Sequence, residues 1–292
     1  MLVVYSDDFL KHSFINHPES PGRLFSIKSV LDEKKGFQYI MPKAASSDDL
    51  LKVHTKELIE DLKMRSERRL GDADNPFVSN TFEIAKLSAG AAIEAAKHAD
   101  SKCFSLARPP GHHAGRNFFG GFCYLNNIAV GIASVLNKYG RAMIVDFDVH
   151  LGQGTMDIFA GSDAVFYLSF HQDANTIYPW HEPVAEEKNI RLFALSSGIG
   201  DAAYLKVFEK GFRQAVAEFK PDLIACSAGF DAYYRDYPYV GSSLCIRKEE
   251  TFRRIGEIIA SAKKPGFAVL EGGYEVETLG NLAYNFLRGW QK

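Results

Sequence analysis

Cysteine is scarce in this chain, and its spacing argues against two common uses of the residue. The four cysteines among 292 residues form no CxxC pair, and three of them lie in apolar runs. Zinc ribbons and disulfide frameworks need closely paired or regularly spaced cysteines, so neither is expected. We predict reduced, buried thiols and a cytoplasmic location. The four residues are Cys103, Cys123, Cys226 and Cys245.

The chain also has no long hydrophobic run and no excess of one charge. Its longest apolar run, IAVGIASVL, is far below the length that spans a membrane, and the N-terminal MLVVY is too short for a secretory signal. The net charge is −2 and the pI is near 6.5, so no electrostatic footprint for nucleic acid or an anionic membrane is present. We expect a small molecule or a short protein segment as the partner.

What the sequence does contain is a regular alternation of short apolar strands and longer helical segments. The strands are rich in β-branched and aromatic residues and mostly apolar on both faces, which is typical of a parallel sheet. No repeat or linker divides the chain. We predict one domain over residues 1–292, an α/β fold with a mostly parallel sheet and helices on both faces. The predicted strands are MLVVY, FQYIMP, KCFSLA, AMIVDFD, AVFYLSF, IRLFALS, DLIACSA and GFAVLEG, and the predicted helices cover 22–34, 80–98, 125–138, 202–219, 248–263 and 276–289.

Four of these strands end in polar residues, at the edge where ligands bind in such folds. One of the ends reads DFDVH, in which Asp146, Asp148 and His150 alternate, so an extended backbone turns all three side chains to one side. A carboxylate and an imidazole from this trio, with Asp231 of SAGFDA, would make a three-ligand site with an open fourth position, as in catalytic zinc proteins. The alternative is a set of turn-forming aspartates and a structural histidine. The two motifs together favour a metal.

The other two strand ends supply groups that move protons and bind oxyanions. His112 and His113 can face one site only if the chain bends, which the preceding Pro-Pro-Gly segment makes feasible. Tyr274 follows two glycines, so its hydroxyl could donate to an oxyanion. Either feature alone is more often a structural one. Beside a metal, they predict a hydrolase.

The ordered motifs resemble those of the histone deacetylase family, which includes acetylpolyamine amidohydrolases and acetoin-utilisation proteins. They span most of the chain in the family's order. The resemblance implies the arginase–deacetylase fold and hydrolysis of acetyl amides. The motifs are HPESPGR at 17–23, RPPGHHA at 108–114, GFCYLNN at 121–127, DFDVHLGQGT at 146–155, SAGFDA at 227–232 and LEGGY at 270–274.

The resemblance further implies a single zinc ion and the roles of the residues around it. His113 takes the position of the general base and acid, and His112 that of its electrostatic partner beside the bound water. Tyr274 helps to polarise the acetyl carbonyl. The implied zinc ligands are Asp148, His150 and Asp231.

Channel and monovalent-cation residues are implied in the same way. Phe122 and Tyr178 match the aromatic walls of an acyl channel, next to Gly121, and Asp74 matches a rim aspartate that holds the substrate backbone. Arg23 would lie in an inner cavity through which acetate leaves. Asp146 becomes the partner of His112. One structural K⁺ site is implied at Asp146, Asp148, His150, Ser169 and Phe170, and a second at Phe159, Ser162 and Val165.

The sequence departs from the family pattern at two places, beside the second histidine and at the mouth of the channel. Gln153 stands where the family usually has Asp or Asn behind the second histidine, so His113 gains a partner without a negative charge and should stay neutral. The segment IYPWHEP at 177–183 replaces a glycine-rich one. Either Trp180, His181 and Glu182 narrow or charge the channel mouth, or the segment is a solvated loop.

The leading hypothesis is a zinc-dependent deacetylase acting on acetyl-lysine in proteins or on acetylated polyamines, between which the residues do not decide. A two-manganese ureohydrolase shares the fold but needs a further aspartate at position 152, which is Gly152. A non-catalytic acyl-recognition module should have lost a ligand, a histidine or the tyrosine, and all are present. The residues do not predict an oligomeric state.

Overall fold

A computed structural model describes residues 1–183 and 187–292 of the chain. Its centre is one sheet of eight strands in the order β2-β1-β3-β8-β7-β4-β5-β6, and every neighbouring pair is parallel. All eight predicted strands are confirmed. Their bounds are β1 Leu2–Val4, β2 Gln38–Ile40, β3 Cys103–Ser105, β4 Ala142–Asp146, β5 Val165–Gln172, β6 Ile190–Leu195, β7 Leu223–Ala228 and β8 Gly266–Leu270.

The central strands are covered on both faces, and their composition explains why. Every residue of β3, β4, β5, β7 and β8 is buried, whereas the edge strands β2 and β6 contain exposed positions. Strands buried on both faces need apolar residues at consecutive positions. The apolar runs therefore mark the middle of the sheet, which is also where the polar strand ends lie.

The described residues form ten α-helices around the sheet. Helices α4 and α5 pack on each other and on central strands, while α1, α9 and α10 form a second group that α7 joins. The six predicted helices are confirmed, and α2, α3, α6 and α8 were not predicted. The bounds are α1 Gly22–Lys34, α2 Ser47–Leu51, α3 Lys56–Arg68, α4 Thr81–Lys97, α5 Asn127–Tyr139, α6 Gln153–Phe159, α7 Asp201–Phe219, α8 Tyr237–Val240, α9 Glu249–Ala260 and α10 Val276–Trp290.

The missed helices are either very short or rich in charged residues. Three of them have four to seven residues, and α3 is mostly charged and buries few side chains. The cysteine prediction is confirmed in its structural part, since all four thiols are free and Cys103, Cys123 and Cys226 are buried. In the described residues, no helix is both long and apolar enough to cross a membrane.

Candidate active site

The four polar strand ends meet at one edge of the sheet. Strands β3, β8, β7 and β4 are consecutive neighbours, and because they are parallel their carboxyl ends lie on the same side. The segments that follow them carry His112 and His113, Tyr274, Asp231, and Asp148 with His150. Residues that are far apart in sequence therefore meet in one place, as predicted.

Asp148, His150 and Asp231 form a buried group whose ligand-type atoms all lie within 4.8 Å of one another. His150 Nδ1 is 3.0 Å from Asp148 Oδ1 and 3.2 Å from Asp231 Oδ2. Two ligands of a tetrahedral zinc ion, each about 2.0–2.1 Å from the metal, are roughly 3.3 Å apart, so this spacing suits such an ion. Asp231 Oδ2 is also buried without a hydrogen-bond partner of acceptable geometry. An unpaired buried carboxylate oxygen calls for a cation.

Backbone contacts hold the two carboxylates in place. Asp148 Oδ2 accepts the Gly272 N–H at 2.7 Å, and Asp231 Oδ1 accepts the Val149 N–H at 2.9 Å. A Cβ at position 272 would lie 2.1 Å from Asp231 Oδ2 and 2.6 Å from Asp148 Oδ2, so only glycine fits there. Burial raises the pKa of Asp231, and the negative charge of Asp148 adds to this shift. A divalent cation between the two would relieve that repulsion.

The histidine pair does face one site, because the chain turns after Gly111. The Ala114 N–H donates to the Gly111 carbonyl, and the two rings lie with centroids 4.0 Å apart and planes tilted by 43°. The Glu271 carboxylate accepts the backbone N–H groups of Gly111 at 2.8 Å and His112 at 3.2 Å. Glu271 thus fixes the turn that presents both imidazoles.

The two imidazoles have opposite electrostatic surroundings. His112 Nδ1 donates to Asp146 Oδ2 at 3.1 Å; burial opposes its charged form, but Asp148 and Asp146 outweigh this and raise the pKa of His112 to about 10. His113 Nδ1 donates to the amide oxygen of Gln153 at 2.6 Å. Burial and the neighbouring imidazoles His112 and His150 lower the pKa of His113 well below its usual value. Because the two pKa values are shifted in opposite directions, His113 can act as a neutral base and His112 as its positively charged partner.

Tyr274 lies beside this pair and closes one side of the site. Its ring packs against Phe122 at a centroid distance of 5.7 Å, and the Arg23 guanidinium lies 4.8 Å from the ring centroid. Its backbone N–H donates to the buried carboxylate of Asp236. Burial raises the pKa of the Tyr274 hydroxyl well above its usual value, so this group is a donor at neutral pH.

A channel of about 330 Å³ leads to these residues from the surface. Tyr178 packs edge-on against His113 at 4.8 Å, and Gly121 lies between them, since a Cβ there would meet both rings. Phe122 is fixed by Asn75, whose side-chain oxygen accepts its N–H at 3.2 Å. The channel is lined by Asp74, His113, Gly121, Phe122, His150, Tyr178, Trp180, Tyr239, Val240, Gly241 and Tyr274.

Comparison with known proteins identifies the family. A sequence profile described as "Histone deacetylase domain" matches residues 17–290. The chain belongs to the histone deacetylase family. A protein of Methanothermobacter thermautotrophicus named "Probable deacetylase" is 36% identical over 99% of this chain and 90% of its own length. The acetylpolyamine amidohydrolase of Burkholderia pseudomallei is 33% identical over 77% of this chain and 68% of its own length.

Comparison with a solved structure identifies the fold of the same family. A crystal structure of acetylpolyamine aminohydrolase from Burkholderia pseudomallei matches with a TM-score of 0.88 and 25% identity, over 99% of this chain and 98% of that one. The single parallel sheet flanked by helices is therefore the arginase–deacetylase fold, as predicted. Membership of the histone deacetylase family supports a hydrolase that removes acyl groups from amines.

The remaining residues implied by the family pattern lie at the edges of the site. Arg23 is fully buried; it donates to the Gly273 carbonyl at 2.6 Å and pairs with Glu19 at 3.1 Å. Its implied part in acetate release stays a prediction. Asp74 lines the mouth of the channel and is exposed.

Several oxygens at the two implied K⁺ sites already form hydrogen bonds within the chain. Ser169 Oγ, at the first site, lies 2.8 Å from His171 Nδ1, and Phe170 is buried in β5. At the second site, the amide of Asn189 donates to the carbonyls of Phe159 at 2.7 Å and Val165 at 2.8 Å, while Ser162 Oγ accepts two backbone N–H groups. Those oxygens already have partners within the chain. K⁺ at either place stays a prediction.

The segment 177–183 is anchored, and only part of it faces the channel. Trp180 lines the mouth, and His181 is exposed. Glu182 turns inward, where its carboxylate accepts from the buried His171 Nε2 at 3.0 Å and from the Ala174 N–H at 2.8 Å. The expectation that Glu182 charges the mouth is therefore wrong, and so is that of a freely solvated loop. The prediction that Trp180 narrows the mouth is consistent with its position.

Several residues that shape the site were not predicted as functional. They share one feature: each is buried and acts through a contact across the fold. Tyr167, for example, donates to Asp146 Oδ2 at 2.9 Å from the neighbouring strand. The others are Asn75, Asp236, His171 and Glu271.

Proposed function

We propose that this chain is a zinc-dependent deacetylase that hydrolyses acetylated amines, either acetyl-lysine in proteins or acetylated polyamines. The observation that carries the proposal is the meeting of three buried ligand-type side chains with a histidine pair and a tyrosine at the end of one channel. A zinc ion held by Asp148, His150 and Asp231 would supply a Lewis acid that acidifies water and polarises an acyl carbonyl.

Around that ion, the chain's own residues would carry the proton transfers. His113 is neutral and donates through Nδ1 to Gln153, so its Nε2 lone pair is free to accept a proton from the attacking water. Once protonated, the same nitrogen can return the proton to the departing amine. His112 is paired with Asp146, whose carboxylate favours the charged imidazole, and in that form it would stabilise the negative charge that develops nearby.

Tyr274 would donate its hydroxyl to the oxygen of the substrate carbonyl as that oxygen gains charge. Its position is set on both sides, by the Asp236 contact to its backbone and by the Arg23 guanidinium against its ring. A donor held in place before the reaction needs no reorganisation in the transition state. One such contact is worth roughly 3–4 kcal/mol.

The decisive experiment measures acetate release from two substrate classes by the zinc-loaded protein. An acetyl-lysine peptide mixture and acetylated polyamines are compared by kcat/KM, with His113→Ala as the inactive control. Hydrolysis of either class supports the proposal. Absence of hydrolysis on any acylated amine, together with tight binding of acylated ligands, would favour the acyl-recognition module instead.

The ureohydrolase alternative gains no support from the geometry. A Cβ at Gly152 would lie 2.6 Å from both Asp146 Oδ2 and the Tyr167 hydroxyl, and 2.9 Å from His112 Nδ1. No side chain fits there, so the aspartate that a second catalytic metal needs cannot be placed without moving those three residues. A cytoplasmic location remains a prediction from the cysteine pattern.

A further inference from the structure

We propose that the mouth of the channel binds an ammonium group on the substrate, so that acetylated diamines and polyamines are the preferred substrates. This inference rests on the proposed deacetylase function and adds the substrate class. The acetyl end would lie at the metal-ligand group, and the free amine of the same molecule would lie between the aromatic rings at the mouth.

Two aromatic rings stand exposed at this mouth. Trp180 is 69% exposed and Tyr239 is 47% exposed, and both line the channel that ends at His113 and His150. They come from separate parts of the chain, the segment after β5 and helix α8. The faces of indole and phenol rings carry negative quadrupole potential and attract ammonium groups.

The charged residues that line the channel also favour a positively charged ligand. Asp74 lies at the mouth, and among the described residues no lysine or arginine lines the channel. A carboxylate that lines the same channel as two exposed aromatic rings favours a positively charged alkyl chain and disfavours an acidic one.

The backbone that carries Trp180 is held in place by contacts that a solvated loop would not make. The backbone N–H of Trp180 donates to the Ile177 carbonyl at 2.9 Å. Two residues later, the Glu182 carboxylate bonds His171, which is fully buried in β5 and is itself in contact with Ser169 Oγ at 2.8 Å. The loop is thus tied to the sheet, and its fixed backbone places the exposed Trp180 ring at the mouth.

A pair of isosteric substrates tests the ammonium group itself. N-Acetylcadaverine carries a terminal ammonium where N-hexylacetamide carries a methyl group, and the two are otherwise alike. We expect the parent protein to prefer N-acetylcadaverine by about 10-fold in kcat/KM, since two exposed cation–π contacts and one nearby carboxylate add up to this order. The preference should shrink as ionic strength rises.

Variants that lack one aromatic ring then identify the residues that cause the preference for N-acetylcadaverine. Trp180→Leu and Tyr239→Leu should each lower the ratio of the two kcat/KM values by about 2–5-fold, and Trp180→Phe should retain most of it. Asp74→Asn should lower the ratio by up to about 5-fold. Tyr237→Leu is the matched control, because Tyr237 is 62% exposed on the same helix α8 but does not line the channel. It should leave the ratio unchanged.

The outcomes separate this inference from the proposed function. A ratio near one in the parent, or equal losses on both substrates in the ring variants, would show that the rings bind only the alkyl chain and would overturn the inference. Hydrolysis of acetyl-lysine peptides without either small amide would overturn it in favour of a protein substrate, while the deacetylase function would survive. If neither the small amides nor the peptides are hydrolysed, the proposed function itself fails.

Discussion

His113 Nδ1 lies 2.6 Å from the side-chain oxygen of Gln153, and this contact decides which nitrogen of the ring can act as a base. An amide oxygen only accepts, so Nδ1 must carry the proton and Nε2 must hold the free lone pair. The amide is oriented by its other end, where Gln153 Nε2 donates to the Tyr178 hydroxyl at 3.2 Å. The neighbouring His112 has a carboxylate partner instead, which accounts for the different behaviour of two adjacent histidines.

Replacing Gln153 with a carboxylate should move the pH dependence of the reaction. In Gln153→Glu, or the shorter Gln153→Asp, the new negative charge stabilises the imidazolium and raises the pKa of His113 from its depressed value. Because the base works unprotonated, a higher pKa means that a higher pH is needed, and the acidic limb of the kcat/KM profile shifts upward. The check is a pH profile of variant and parent under the same salt. An unmoved acidic limb would mean that His113 does not set it.

We expect one catalytic divalent metal per chain, with activity lost on chelation and restored by zinc. Asp231→Asn keeps an oxygen that can accept the Val149 N–H but removes the charge from the unpaired ligand atom. Zinc binding should weaken by more than about 100-fold, since losing even the partner of a ligand costs about 10–100-fold. Elemental analysis after dialysis measures this. Two tightly bound transition-metal ions per parent chain would contradict the prediction and revive the ureohydrolase hypothesis.

The strand ends could be predicted because a parallel sheet brings its carboxyl ends to one edge. That rule alone places Asp148, Asp231, His113 and Tyr274 together. One detail differs: β4 ends at Asp146 and the chain bends after it, so DFDVH is not one extended segment. Asp146 lies behind His112, as the family resemblance implied.

The contacts of the supporting residues could not be predicted in this way. Glu271 acts on the backbone of Gly111, 160 positions away, and Asn75 acts on Phe122. Glu271 directly follows β8, but nothing in the sequence indicates that its partner is the backbone of Gly111, and Asn75 lies in no predicted strand or helix. Their roles depend on packing, which the sequence alone does not define.

The Glu182 contact yields a prediction about the mouth. Glu182→Ala leaves the buried His171 Nε2 without its partner, which should cost about 1–3 kcal/mol in the free energy of unfolding and loosen the loop that carries Trp180. The chain has two tryptophans, and Trp290 is buried, so fluorescence anisotropy reports the change, with acrylamide quenching to identify the signal of the exposed indole. We expect lower anisotropy of Trp180 and a higher KM. His181→Ala, the exposed neighbour, is the control; equal effects of the two variants would argue against an anchoring role.

Tyr274→Phe is the most direct test of the proposed chemistry, because it removes one hydroxyl and keeps the ring. The ring contacts with Phe122 and Arg23 and the backbone contact with Asp236 do not involve that hydroxyl, so the fold and the zinc content should survive. The value of kcat should fall by about 10²–10³, the usual cost of one lost oxyanion donor, while KM changes much less. Thermal unfolding and elemental analysis of the same sample guard against a trivial loss of structure or metal. Hydrolysis of acetyl amides at the parent rate would mean that the carbonyl is polarised without the hydroxyl, and the role assigned to Tyr274 would have to be withdrawn.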